Sequence, residues 1–183
     1  MSLYQGALDE LSLIFQRLND VEVDKAVQKI ANARRIVVVG CGRERLQIMG
    51  FAMRLFHMGL DVAVVGDMTT PHLETGDLLI ATNGPGEVPT VLSLMETAKR
   101  AGAEIMVLTA QPNGTAARLA DFCLLLPAQT MADDTLPKAQ SILPMGSAFE
   151  GALFILFEIM VLKLKDVKGI SFDDMRARHT NLE

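Results

Sequence analysis

Five short apolar runs recur along the chain, at 35–39, 61–65, 77–81, 104–108 and 122–126, between longer segments with helical spacing. Each run is rich in Val, Ile and Leu and is apolar on both faces. Such runs are the mark of strands in a mostly parallel sheet that helices cover on both sides. Residues 43–58 contain no proline, carry Leu46, Met49, Met53 and Phe56 at helical intervals, and stop at Gly59. Residues 87–101 read as a second helix closed by Gly102, and 114–120 as a short third one. The second and third runs follow each other without a helix. The resulting order, β-α-β-β-α-β-α-β, predicts an α/β fold: a three-layer α/β/α sandwich around a five-stranded, mostly parallel sheet.

Helices extend this unit at both ends. Leu8, Leu11, Phe15 and Leu18 form an amphipathic stripe ahead of the first strand, and 23–33 suggests another helix. Residues 148–164 are apolar nearly all round, so they need more cover than their own sheet gives, and a subunit interface supplies it economically. With 183 residues, the expectation is a single domain, 1–183, with helical extensions. Half the residues are hydrophobic and 21% are charged, which excludes global disorder. There are 17 Lys and Arg against 22 Asp and Glu, a net charge of −5, so non-specific nucleic-acid binding lacks its electrostatic driver. Cys41 and Cys123 show no CxxC spacing, which fits a reduced cytoplasmic chain better than a disulfide framework or a zinc site. The N-terminus shows no secretory signal. Glu150 and Glu158 interrupt the longest apolar stretch, which is too short to span a bilayer.

In open parallel sheets, ligands bind beyond the carboxyl ends of the strands, near a switch in strand order. Four segments fall there: 40–45, 66–71, 82–87 and the long loop 127–146. The first and third are glycine-rich and open helices, which aims backbone N–H groups at an anion; the same glycines also serve tight turns. Gly40-x-Gly42, with Asp67 further on, hints at a dinucleotide site, but Arg45 stands where the third glycine is needed, and no nicotinamide cofactor is expected.

Several motifs occur in order: Gly40-Cys-Gly42-Arg43, Phe51-Ala-Met-Arg-Leu55, His57-x-Gly59, Thr69-Thr-Pro71, Gly76-Asp-Leu-Leu-Ile80, Leu143-Pro-Met-Gly146, Phe149-Glu150 and Arg178-His-x-Asn-Leu182. Together they resemble the 6-phospho-3-hexuloisomerases of the sugar isomerase (SIS) domain superfamily, over nearly the whole chain. The resemblance implies a five-stranded parallel sheet between helices, and a homotetramer or homodimer with sites at subunit interfaces. It implies interconversion of 3-hexulose 6-phosphate and fructose 6-phosphate without metal or organic cofactor. Glu150 matches the family's glutamate, the base that shuttles a proton between adjacent carbons through an enediol. His179 matches the histidine near the C-terminus, which assists ring opening and reaches a neighbouring subunit's site.

Departures from the pattern bear on the ligand. The family's first loop runs Gly-x-Gly-Arg-Ser-Gly, and here Glu44 and Arg45 replace the last two residues. Its third-strand loop runs Ser-Gly-Ser-Gly-x-Thr, and here Asn83, Gly84, Pro85, Gly86, Glu87 and Val88 stand instead. Three hydroxyls and one backbone donor are gone, where hydrogen bonds to a charged group are worth about 1.5–3 kcal/mol each. Thr82, Asn83, Thr90, Arg43 and Arg45 are the candidates to compensate. Glu44 opposes an incoming phosphate, and the expectation is that it partly occupies the anion site, paired with Arg43 or Arg45. The substrate-binding set is therefore Gly42, Arg43, Glu44, Thr82, Asn83, Gly84, Gly86 and Thr90.

Plainer roles stand beside these. Ser147-x-x-Glu150 is a helix capping box, as is Ser171-x-x-Asp174, whose short helix His179 would close as a cation. His57 reads as structural, His72 as a residue able to approach the ligand, and Arg54 as an interface cation. Cys41 lacks an evident base, the methionines fill core, and Arg34-Arg35 and 163–168 read as solvated helix ends without required partners. Function then divides three ways. The chain is a sugar-phosphate isomerase, a non-catalytic domain that binds carbohydrate derivatives, or an isomerase of a less anionic sugar.

Overall fold

The computed structural model describes residues 2–135 and 141–182. Part of the 127–146 loop, 136–140, and the final Glu183 lie outside the described residues. Two helices, α1 (Leu3–Arg17) and α2 (Asp20–Asn32), precede the sheet. The sheet region runs β1 (Ile36–Val39), α3 (Gly42–His57), β2 (Val62–Val64), β3 (Leu78–Thr82), α4 (Pro89–Arg100), β4 (Glu104–Thr109), α5 (Thr115–Leu119) and β5 (Phe122–Leu125). Two further helices, α6 (Ser147–Lys168) and α7 (Phe172–Ala177), follow. The strands form one five-stranded sheet in the order β2-β1-β3-β4-β5, and every pair is parallel.

Period-two alternation splits each strand between two cores. Ile36, Val38, Leu78, Ile80, Met106 and Leu108 face the layer of α2, α3 and α6. Val37, Val39, Leu79, Ala81, Ile105 and Val107 face α4 and α5. The central strands β1, β3 and β4 are buried on both faces, which is why their runs lack polar alternation, while the edge strands β2 and β5 are only partly buried. The Phe51 ring of α3 stacks on Phe157 of α6 with centroids 4.4 Å apart. Full burial of such side chains contributes about 1.5–3 kcal/mol each, so this contact fixes the two helices against each other.

Several expectations change. The α3 residues that face the core are Ile48, Phe51, Ala52 and Leu55; Leu46, Met49, Met53 and Phe56 form a second apolar stripe that is exposed in the single chain. In α1, Leu8 is exposed and Ile14 is the buried anchor, with Leu11, Phe15 and Leu18 packed beside it. Helix α4 starts at Pro89, whose missing N–H costs nothing in a first turn. The basic helix ends all have partners: Arg34 pairs with Glu74 and the buried Asp77, Arg35 with Asp61, Lys163 with Asp20 and Asp24, and Lys165 with Asp166. Among the described residues, no helix is long and apolar enough to cross a membrane.

Candidate functional site

From β1 the chain crosses to β2 on one side, while β3 leads to β4 on the other, so strand order reverses between β1 and β3. Their two following loops lie side by side at the carboxyl edge, where a crevice forms in such sheets. Gly40 ends β1, and a Cβ there would lie 2.4 Å from the Thr82 hydroxyl of β3. Only glycine lets the two strand ends approach this closely. Cys41 is the N-cap of α3 and makes no side-chain cap, so the first turn of α3 is open toward the crevice.

Glu44, in that first turn, fills part of it. Both carboxylate oxygens accept from the Gly84 N–H at 3.1 Å. A Cβ on Gly84 would stand 2.8 Å from the Glu44 carboxylate and 2.9 Å from the Phe149 ring, so this glycine is the floor on which α3 and α6 converge. Desolvation pushes the Glu44 carboxyl up to about 7, with the neighbouring Glu150 charge adding to the rise. The Gly84 N–H and the Thr82 hydroxyl oppose it. The structure places Glu44 against the β3–α4 loop, with its carboxylate on the Gly84 N–H. Its expected pairing with Arg43 or Arg45 is not found among the described residues: Arg43 pairs elsewhere, and the Arg45 guanidinium lies near Gly66.

Arg43 donates through Nε to Glu150 Oε2 at 2.5 Å, joining the start of α3 to the start of α6. Glu150 is 9% exposed, whereas the Arg43 side chain is two-thirds exposed at the mouth. The capping-box reading of Ser147 and Glu150 is overturned. The N-cap is Gly146 in a left-handed conformation, no side chain caps α6, and the Glu150 carboxylate is turned to Arg43. The other box, Ser171 with Asp174, is formed in full.

The β3–α4 loop spends its own donors. Gly86 N–H donates to the Asn83 carbonyl at 2.9 Å and Val88 N–H to Asn83 Oδ1 at 3.2 Å. The Glu87 carboxylate accepts from Thr115 N–H at 2.7 Å, tying the loop to α5. Thr82 and Asn83 are buried beneath the crevice, and Asn83 Nδ2 has no hydrogen-bond partner among the described residues. Gly42, at positive φ, and Thr90, in the first turn of α4, are exposed at the rim. The sequence reading missed Thr109, whose hydroxyl donates to the Gly84 carbonyl at 3.2 Å and accepts from Gln111 N–H. Its signal is its place at the end of β4, next to β3. Among the described residues, no group of three or more His, Cys, Asp and Glu is placed to hold a metal ion.

His179 is elsewhere. Its ring lies 5.0 Å from that of the buried His57, at the far end of α3. Arg178 donates to the His57 carbonyl at 3.3 Å and fixes the C-terminal segment there. Helix α3 runs sixteen residues from Gly42 to His57, which puts its two ends about 22 Å apart at the usual rise. One chain therefore does not bring Glu150 and His179 together. His72 is exposed in the β2–β3 connection, beside Val65 and Pro71. Arg54 pairs with Glu158 of the same chain at 3.3 Å.

Comparison with known proteins agrees with this architecture. The SIS domain family matches residues 29–155. The 3-hexulose-6-phosphate isomerase of Methylomonas aminofaciens is 37% identical over 184 residues, covering all of both chains. The protein of the same name from Bacillus subtilis is 33% identical over 176 residues, covering 96% of this chain and 95% of its own. A Methanococcus jannaschii protein, whose crystal structure was taken to imply 3-hexulose-6-phosphate isomerase function, superposes with a TM-score of 0.85. It is 26% identical, and 98% of each chain is covered. Fold, switch-point crevice and full-length similarity converge: the chain belongs to the SIS domain family, in the group that includes the 3-hexulose-6-phosphate isomerases.

Proposed function

We propose that this chain is a sugar-phosphate isomerase interconverting 3-hexulose 6-phosphate and fructose 6-phosphate, with Glu150 as its base. The observation that carries this reading is the Glu150 carboxylate, nearly buried at the switch point and held by Arg43 instead of capping its own helix. The relatives that bear the activity in their names support it. In the 3-ketose, Glu150 takes the proton from C2, and the electron pair of that C–H bond forms the C2=C3 bond while the carbonyl oxygen gains a proton. The enediol then takes a proton back at C3 and loses one from the C2 hydroxyl, which leaves the carbonyl at C2. Arg43 orients the carboxylate for both transfers.

In this proposal His179 serves the site of a second copy. Leu46, Met49, Met53 and Phe56 of α3 and Phe154, Ile155, Ile159 and Leu162 of α6 are exposed in the single chain. Exposed apolar residues gathered on two adjoining helices mark an interaction site. A homodimer or homotetramer built on it covers these helices and carries the His179 segment toward a neighbour. Cys41 and Cys123 are free thiols, which fits a reducing compartment, the cytoplasm. A second reading, a non-catalytic sugar-binding domain, draws on the Gly84 N–H already being taken by Glu44.

Mixing two inactive variants tests the shared site. Glu150→Gln and His179→Ala each lack activity alone, and re-assembled mixtures recover about a quarter of wild-type isomerisation in a symmetric dimer. Mixtures that assemble and stay inactive overturn the shared site.

A further inference from the structure

Among the described residues, Glu44 forms no ion pair, whereas its neighbour Glu150 is paired with Arg43. The Glu44 carboxylate rests with both oxygens on the Gly84 N–H, walled by the Phe149 ring. That carboxylate is an anion already seated on a glycine-loop N–H, and it marks the spot where a ligand anion meets the loop. A second ionised group cannot share this pocket: two charges about 4 Å apart repel by about 4 kcal/mol at an effective dielectric constant of 20. A neutral Glu44 behaves differently. Its carbonyl oxygen continues to accept from Gly84, and its O–H becomes a donor directed at the ligand. The buried Asn83 Nδ2, unpartnered among the described residues, is a second donor on the same loop.

We propose that Glu44 is a specificity-determining residue that binds the phosphate ester of the substrate as its protonated acid, so that binding to the protein with Glu44 ionised takes up a proton. This rests on the sugar-phosphate reading above. The ionisable groups around Glu44 are Arg43, Arg45 and Cys41 on its own segment and Glu150 on α6. The end of β3 brings Thr82, Asn83 and Gly84, none of which ionises. Arg43 is engaged by Glu150, so the phosphate's approach is opposed by Glu44 and favours its protonation. The Glu44 carboxyl, pushed up to about 7 by desolvation, puts the linkage in the neutral range. Above that pH, Glu44 must gain a proton for the ligand to bind, and affinity falls with rising pH. The phosphate's own second ionisation, near pH 6, is common to every variant and cancels in comparison.

Calorimetry of fructose 6-phosphate binding between pH 6 and 9, in buffers of different ionisation heat, tests this. Fructose serves as the neutral control, and wild type is compared with Glu44→Ser and Glu44→Gln. The expected result is a tenfold loss of wild-type affinity per pH unit above about 7, with uptake approaching one proton. Glu44→Ser binds with flat affinity over the same range. Glu44→Gln is neutral at every pH, is nearly isosteric, serves if the serine variant fails to fold, and is flat as well. Wild-type affinity that is flat and free of proton uptake overturns the proposal and leaves the isomerase reading standing. So does a serine variant that binds where wild type binds at no pH, since Glu44 is then a plug. Failure of every protein to bind any sugar phosphate overturns the sugar-phosphate reading, and the proposal with it.

Discussion

Glu150 and Glu44 sit on opposite walls of the same crevice, close enough for one charge to be felt by the other, yet the fold treats them differently. Glu150 enters from α6 and is met by Arg43, a charge-assisted bond that keeps an acceptor ready at the mouth. Glu44 enters from α3 and is met by the Gly84 N–H and the Thr82 hydroxyl but by no cation among the described residues, so desolvation governs it and its carboxyl rises to about 7. The same side chain becomes a paired carboxylate in one place and a proton-holding acid in the other. What separates them is the partner each loop supplies, and two carboxyl groups with divergent environments are the raw material of acid–base chemistry.

The sharpest way to break this contrast is Glu150→Gln. If Glu150 is the base, kcat falls by about 10²–10⁴-fold while fructose 6-phosphate still binds, as steady-state kinetics beside calorimetry will show. Next comes the pH dependence of stability. The Glu44 carboxyl lies higher in the folded protein than its ordinary value of 4.5, so the folded state binds the proton more tightly. Its stabilising contribution is complete below about 4.5 and is lost as pH rises through about 7. At about 1.36 kcal/mol per pH unit the loss is about 3 kcal/mol. Chemical denaturation from pH 5 to 8 shows it as a slope that Glu44→Gln removes.

Gly84→Ala pushes a methyl group into both walls, against the Glu44 carboxylate and the Phe149 ring. Overpacking of this kind costs about 1–3 kcal/mol, and thermal unfolding reads it. Combining it with Glu44→Ser recovers part of the loss and leaves the share due to Phe149. Arg43→Ala has the smallest expected effect on stability, about 1 kcal/mol, because the guanidinium is mostly exposed. A denaturation midpoint shift of that size, alongside a much larger fall in kcat, would place the role of Arg43 in the reaction.

The sheet was legible because five runs of uniform apolarity have few other uses, and their boundaries shifted by only a residue or two. The α3 face was not, since Leu46, Met49, Met53 and Phe56 keep a helical spacing just as the buried Ile48, Phe51, Ala52 and Leu55 do. A helix apolar on two sides does not say which side meets its own sheet. Glu44 could be placed at the anion loop from sequence, but its partner could not, because a backbone donor such as Gly84 N–H leaves no trace in residue identity. The meeting of Glu150 with Arg43, and of His179 with His57, joins residues more than one hundred positions apart. Both contacts depend on how α6 and α7 return across α3, and local spacing does not encode that return.

The most direct test of the central claim, that Glu150 moves a carbon-bound proton, is proton NMR of fructose 6-phosphate incubated with the protein in D₂O. The account predicts deuterium wash-in at the carbon positions next to the carbonyl with wild type, and none with Glu150→Gln at sugar concentrations where that variant is bound. Wash-in that persists in Glu150→Gln, or its absence in wild type with the sugar phosphate bound, would contradict it.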